Sequence, residues 1–236
     1  MEMDSYEIIK YISSSEKKSP VQVYIKGELE DIDYGKYDIQ FFGSREWGVI
    51  FADYKNYLKF RMENQEKITG EKIISDRVNS AVELADILKY KARIEPGSII
   101  REMVDIGENA VIMMGAVLNI GCSIGKNTMI DMNVVVGGRA VIGENCHIGA
   151  GTVVAGVIEP PSAQPVVIGN NVLVGANAII IEGVKVGDGA VVAAGSAVIN
   201  DVPPNTLVAG VPARFIKQVD DKTRGKSQIL QELRKL

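Results

Sequence analysis

From Ala92 onward one aliphatic residue returns every six positions. Ile94, Ile100, Ile106, Ile112, Leu118, Ile124, Ile130, Val136, Ile142, Ile148 and Val154 form an unbroken register, and Ile168, Val174, Ile180, Val186, Val192 and Val198 resume it after a gap of fourteen. None of these seventeen positions is polar. The residue four places after each is Ser, Thr, Ala, Cys, Val or Ile, and eight of the residues directly after the aliphatic are glycine. A period of six matches neither a helix nor an ordinary strand. It fits a coiled parallel sheet in which each hexapeptide forms one side of a triangular prism. Three hexapeptides then complete a coil, and each aliphatic stacks inside on the one eighteen residues away, at a coil spacing of about 4.8 Å. Each buried Ile or Val contributes roughly 1.5–3 kcal/mol relative to exposure, so the column can hold an elongated body together. Flat outer faces favour pairing with copies of the same chain, and a three-fold oligomer is the expected result.

The gap between Val154 and Ile168 holds AGVIEPPSAQPVV, with three prolines and no register. Fourteen is six plus eight, so about eight residues, near 155–165, are expected to leave the prism as a loop. Extruded loops of this kind usually build sites.

Residues 1–91 follow other periods and are read as a small α/β domain. The stretch from Ser5 to Ile12 predicts a short amphipathic helix, and Val21 to Gly27 alternates as a strand. Helix-like spacing covers Glu46 to Glu66 through Trp47, Ile50, Tyr54, Tyr57, Leu58 and Arg61, and again Ser80 to Lys91 through Val82, Ala85, Leu88 and Lys89. All aromatic residues except Phe215 lie in this region. No phosphate loop, metal pattern or nucleophile elbow occurs there, so its expected role is to cap or position the prism of residues 92–218. The last segment, 219–236, predicts a C-terminal helix with Ile229, Leu230 and Leu233 on one face.

Composition narrows the function by exclusion. A net charge of −4 offers no general attraction to nucleic acid or anionic membrane. No run of 18 apolar residues exists, and the acidic start is unlike a signal peptide, so a cytoplasmic location is expected. Cys122 and Cys146 occupy the small inward position and read as core filler. With a single histidine, His147, the chain lacks the three-histidine ligand set of a prism-shaped carbonic anhydrase, and no metal is expected.

The hexapeptide column, the extruded loop and the closing stretch VPPNTLVAGVPARFIK resemble the left-handed parallel β-helix acyltransferases that use acyl-coenzyme A. Ile-Asp-Met-Asn at 130–133, Val-Ile-Glu-Pro-Pro at 157–161 and Ile-Glu-Gly-Val at 181–184 make the chain most similar to the tetrahydrodipicolinate N-acetyltransferases of bacterial lysine and diaminopimelate synthesis. The resemblance covers essentially the whole chain, since that subgroup also carries a small α/β domain in front. It implies acetyl-CoA as co-substrate, a homotrimer with sites between subunits, and N-acetylation of the amino dicarboxylate formed when tetrahydrodipicolinate opens to 2-amino-6-oxopimelate.

The same resemblance supplies candidate residues. Asp131 stands in Thr-Met-Ile-Asp, matching the Thr-Met-Val-Asp acid of succinyl-transferring relatives, and Glu182 matches their second acid. His147 precedes the inward Ile148, so it should point outward near Asp131, one coil away. Either acid or the imidazole could take the ammonium proton before nitrogen attacks the thioester, and the choice among the three stays open. Arg139 is a candidate for the substrate carboxylates and Glu159 belongs to the loop's family-like segment. For coenzyme A the small residues Gly175, Ala176, Ala193, Ala194, Gly195 and Gly210 offer room for a pantetheine arm, with Arg214 and Lys217 for the phosphates. Each has a plain alternative as a turn closer, tight-corner filler or solvated surface group. The rival functions are succinyl transfer by the same machinery, a sugar or serine O-acetyltransferase relying on His147, and a noncatalytic scaffold.

Overall fold

The computed structural model describes residues 4–226 and 231–234. Every member of the six-residue register closes a two-residue strand, from Arg93–Ile94 to Ala197–Val198. Pairing is parallel, and partners are eighteen residues apart before the gap, as in Met129↔His147 and Ile130↔Ile148. Across the gap the step becomes Ile142↔Ile168, twenty-six residues, so eight residues leave the coil. The strands form three sheets, the faces of the prism. Face one contains the rungs ending at Ile94, Ile112, Ile130, Ile148, Val174 and Val192. Face two contains those ending at Ile100, Leu118, Val136, Val154, Ile180 and Val198. Face three contains those ending at Ile106, Ile124, Ile142, Ile168 and Val186. The chain turns corner one from face one to face two, corner two from two to three, and corner three back to one.

Sixteen of the seventeen register aliphatics are buried in one continuous core, and Ile94, on the first rung, packs against it. Small residues fill the narrow corners: Thr128 and Thr152 are fully buried and cap carbonyls of neighbouring coils. Cys122 and Cys146 are free, buried thiols, pushed up by burial to about 12 and about 11 respectively. The closing stretch adds a hairpin to face one, Thr206–Gly210 paired antiparallel with Ala213–Gln218.

Ser13–Ala81 forms a separate compact unit. Its four antiparallel strands are β1 (Pro20–Gly27), β2 (Gln40–Gly43), β3 (Trp47–Asp53) and β4 (Ile68–Ile74), in the order β2-β3-β1-β4. The helix Tyr54–Glu63 buries Tyr57 and Phe60 against Val21, Val23, Ile25 and Ile50. The first helix, Ser5–Ser14, belongs up to Ile12 with the solenoid, where the Tyr11 hydroxyl donates to Glu102 Oε2 at 2.7 Å.

Two expectations are corrected here. Glu46–Glu66 is not one helix. Trp47, Val49 and Phe51 alternate with Gly48, Ile50 and Ala52 along β3, and the helix starts only after Asp53, whose carboxylate accepts from Lys55 N–H. Cross-strand pairing with β1 outweighs helical spacing among residues that favour strands. Ser80–Lys91 is irregular apart from a single 3-10 turn, Ile87–Lys89. Val82 and Ala85 are buried while Leu88 is 90 % exposed, so these residues share no single helical face, and Ala85 N–H is taken by Ile100 O of the first coil. The expected C-terminal helix is present over Asp221–Lys226, and a 3-10 turn is described at Gln231–Arg234; Ile229 and Leu230 lie outside the described residues.

Candidate active site

Corner one gathers most of the predicted chemistry. Asp131 is its first residue after Ile130, and His147 points outward one coil further on, in the rung paired with Met129–Ile130. His147 Nε2 lies 3.4 Å from Asp131 Oδ2. The other oxygen, Oδ1, accepts from Met132 N–H at 2.8 Å, which fixes the carboxylate's direction. Both side chains are partly exposed, at 32 % and 22 %, so the pair is ordered yet open to a ligand.

Gly175-Ala176 and Ala193-Ala194-Gly195 occupy the same corner on the following coils. Three coil steps separate Asp131 from Ala193, about 14 Å along the edge. The second residue of corner one is Pro96, Met114 and Met132 on the coils up to Asp131, then Ala150, Ala176 and Ala194. A ledge of methyl groups therefore begins beside the Asp131–His147 pair, with the half-exposed Met132 thioether at its end. Gly195 adopts φ 67° with no atom within 4 Å of where a Cβ would stand, so the left-handed backbone favours glycine there and open space results. A Cβ on Gly175 would meet Ala194 N at 2.4 Å, so close stacking of coils requires that one. Gly210 ends the first strand of the hairpin. Arg214, on the second, is exposed and donates only to Ala213 O among the bonds described. Lys217 is engaged by Asp220 at 2.7 Å; that ammonium, with Thr223, holds the Asp220 carboxyl far below the usual carboxylate range.

Corner two carries the rest. The loop leaves here after Val154, and Glu159 is exposed on it. Arg139 lies beneath it, only 7 % exposed, with its guanidinium donating to Val157 O and Ala163 O. It faces loop backbone, where the sequence predicted a ligand carboxylate. Glu182 is exposed at corner two on the coil after the loop. Within one chain, then, the structure joins Asp131 with His147 and leaves Glu182 at a different edge of the prism. Among the described residues, no cluster of three or more His, Cys, Asp or Glu could hold a metal ion.

A further periodicity escaped the sequence reading. The third residue of fifteen corners has positive φ: 97, 103, 109, 115, 121, 127, 133, 139, 145, 151, 171, 177, 183, 189 and 195. Thirteen of them are Gly or Asn, the residues that reach this region most easily. Met103 and Arg139 are the exceptions, each holding roughly 1–3 kcal/mol of backbone strain. Strain of this kind concentrates at functional positions, and Arg139 sits under the loop.

Comparison with known proteins fits this geometry. Over 235 residues the chain is 60% identical to the 2,3,4,5-tetrahydropyridine-2,6-dicarboxylate N-acetyltransferase of Thermotoga maritima, covering 100% of this chain and 99% of that one. It is 58% identical over 234 residues to the enzyme of the same name from Alkaliphilus metalliredigens, with 99% of each covered. The chain belongs to the tetrahydropyridine-dicarboxylate N-acetyltransferase family. Its N-terminal part, residues 3–87, matches the family model described as tetrahydrodipicolinate succinyltransferase N-terminal. Residues 121–156 match the bacterial transferase hexapeptide, and 103–137 and 165–199 the hexapeptide repeat of succinyl-transferase. Among solved structures, the family member described here is similar to a hexapeptide-repeat acetyltransferase of Vibrio cholerae complexed with acetyl coenzyme A. The two share 31% identity, with 56% of this chain and 70% of that one covered, at a TM-score of 0.41.

Proposed function

We propose that this N-acetyltransferase moves the acetyl group of acetyl-CoA to the amino nitrogen of ring-opened tetrahydropyridine-2,6-dicarboxylate, on the way to diaminopimelate and lysine. The relatives that match over the whole chain are named for acetyl transfer, which outweighs the succinyl wording of the partial models. The observation that carries the reading is the Asp131–His147 pair at the head of the methyl-lined ledge. The pantetheine arm lies along Ala194, Ala176 and Ala150, with Arg214 at the nucleotide end, and the thioester stops at the pair. The open Asp131 Oδ2 and the imidazole receive the substrate ammonium, and one of them takes its proton. The freed nitrogen attacks the thioester carbon, and a backbone N–H of the corner stabilises the tetrahedral oxyanion. Collapse breaks the C–S bond, leaving an amide and the CoA thiolate, which regains a proton.

Assembly supports the same reading. The outward positions of face two are Ile99, Val117, Val135, Val153, Ile179 and Ala197. Ile99, Val135, Val153 and Ile179 are 48, 41, 38 and 47 % exposed, an apolar ladder that a three-fold assembly would cover. A neighbouring subunit would also bring Glu182 and the loop with Glu159 toward another chain's corner one. Use of acetyl-CoA supports a cytoplasmic location.

The test is CoA release from acetyl-CoA and from succinyl-CoA with tetrahydropyridine-2,6-dicarboxylate. Acetyl-CoA should be preferred, and Asp131→Asn should lower kcat/KM by at least about tenfold. Near-normal turnover by His147→Ala would remove the imidazole as base, and an unchanged Asp131→Asn enzyme would defeat the proposed site.

A further inference from the structure

We infer that Arg139 is a positioning residue that clasps the extruded loop in the shape the amino acceptor requires. The inference rests on the acetyl-transfer reading for its kinetic consequence, and on corner-two geometry for the clasp itself. Arg139 Nη1 donates to Val157 O at 3.3 Å and to Ala163 O at 3.2 Å. These carbonyls lie six residues apart, one at the root of the loop and one near its far end. The attachment is reciprocal, because Val157 N–H donates to Gly138 O at 3.2 Å. Close approach reinforces it: a Cβ on Gly137 would stand 2.0 Å from Gly156 N, and one on Gly138 would meet Ile158 Cδ1 at 2.9 Å. Pro160, Pro161 and Pro165 have no N–H to donate, so the loop forms few bonds of its own.

Burial and backbone conformation both mark the role. A guanidinium on a residue only 7 % exposed must place its donors on acceptors, and two of those acceptors are loop carbonyls. The residue holds φ 66°, where thirteen of the fifteen equivalent positions are Gly or Asn. Arginine is worse for the turn than asparagine would be, so the side chain's reach is what the position requires. Glu182 stands two coils further along corner two, so the clasped loop and the second acid share one edge.

Arg139→Asn tests this with little risk to the fold, since asparagine suits the corner. Hydrogen exchange of the amides of Val157, Ile158, Glu159, Ser162, Ala163 and Gln164 should quicken at least about tenfold, while exchange in the coils stays unchanged. KM for the amino acceptor should rise about tenfold, kcat should fall less, and KM for acetyl-CoA should stay within about twofold. Arg139→Lys, which keeps a donor at one carbonyl, should recover part of both effects. Wild-type exchange in the Asn variant would overturn the clasp, and faster exchange with both kinetic constants unaltered would overturn its role in positioning. Failure of the acetyl-transfer reading would show separately, as a wild-type enzyme that releases no CoA.

Discussion

Single residues divide here by whether a second group meets them. Asp131 and His147 lie sixteen positions apart, and only the coil period brings them to 3.4 Å. That proximity was legible in the sequence, since knowing that Ile130 and Ile148 stack fixes the neighbours of both. The place of Arg139 was not: a Gly-Gly-Arg turn reads as an exposed cation until the loop's path over it is known. Lys217 is similar, because Asp220 three residues away engages an ammonium that composition offers to phosphates. The cysteines behave as their inward register predicts. Burial pushes the Cys146 thiol from its ordinary 9.0 up to about 11, so the folded chain keeps a proton that the unfolded chain loses above pH 9. Its stabilising contribution is complete below pH 9 and disappears as pH rises through about 11. The urea midpoint should therefore fall across that window, and fall less in Cys146→Ala. An identical slope in the two proteins would contradict the assignment.

At the scale of the element, the hexapeptide is a short rung plus a corner, and the corner sets its own rule. The aliphatic fills the core, the residue four later fills the angle, and the third corner residue turns left-handed. Asn171, with φ 57°, is such a corner, and its N–H also bonds Glu144 O of the coil before. Asn171→Val should cost about 1–2 kcal/mol, because branching at Cβ clashes in this region, whereas Asn171→Gly should be near neutral. Thermal melts would decide it, and equal melting temperatures for the two variants would refute the rule. In the N-terminal unit, local pattern misled where strands pair. Trp47, Ile50 and Tyr54 have helical spacing, but Val23 and Ile25 across β1 supply the partners that hold β3 extended. Ser80 to Lys91 is irregular for the opposite reason, since the backbone groups of Glu83, Ala85 and Lys91 bond the coils in place of one another.

For the whole molecule the decisive feature is the difference among the three faces. The outward row of face two is aliphatic, while face three begins with Asp105 and ends with Lys185. Ile179→Asp with Val135→Glu should leave the coil intact, since both side chains point outward, and should convert the proposed trimer to monomers in sedimentation; a single species in both proteins would defeat the proposed assembly. Activity should vanish with the assembly if Glu182 serves a neighbour's corner; full activity from the monomer would argue that each chain is self-sufficient. The amino-acid sequence alone determined the coil, its inward column, the eight-residue excursion and the stacking of Asp131 near His147. It could do so because a solenoid's contacts repeat at a fixed separation along the chain. Tertiary structure decided what has no fixed separation: the split of Glu46–Glu66 into strand and helix, the seat of Arg139 under the loop, and the distance of Glu182 from Asp131. Those depend on which distant backbone groups find partners, and no local period records that choice.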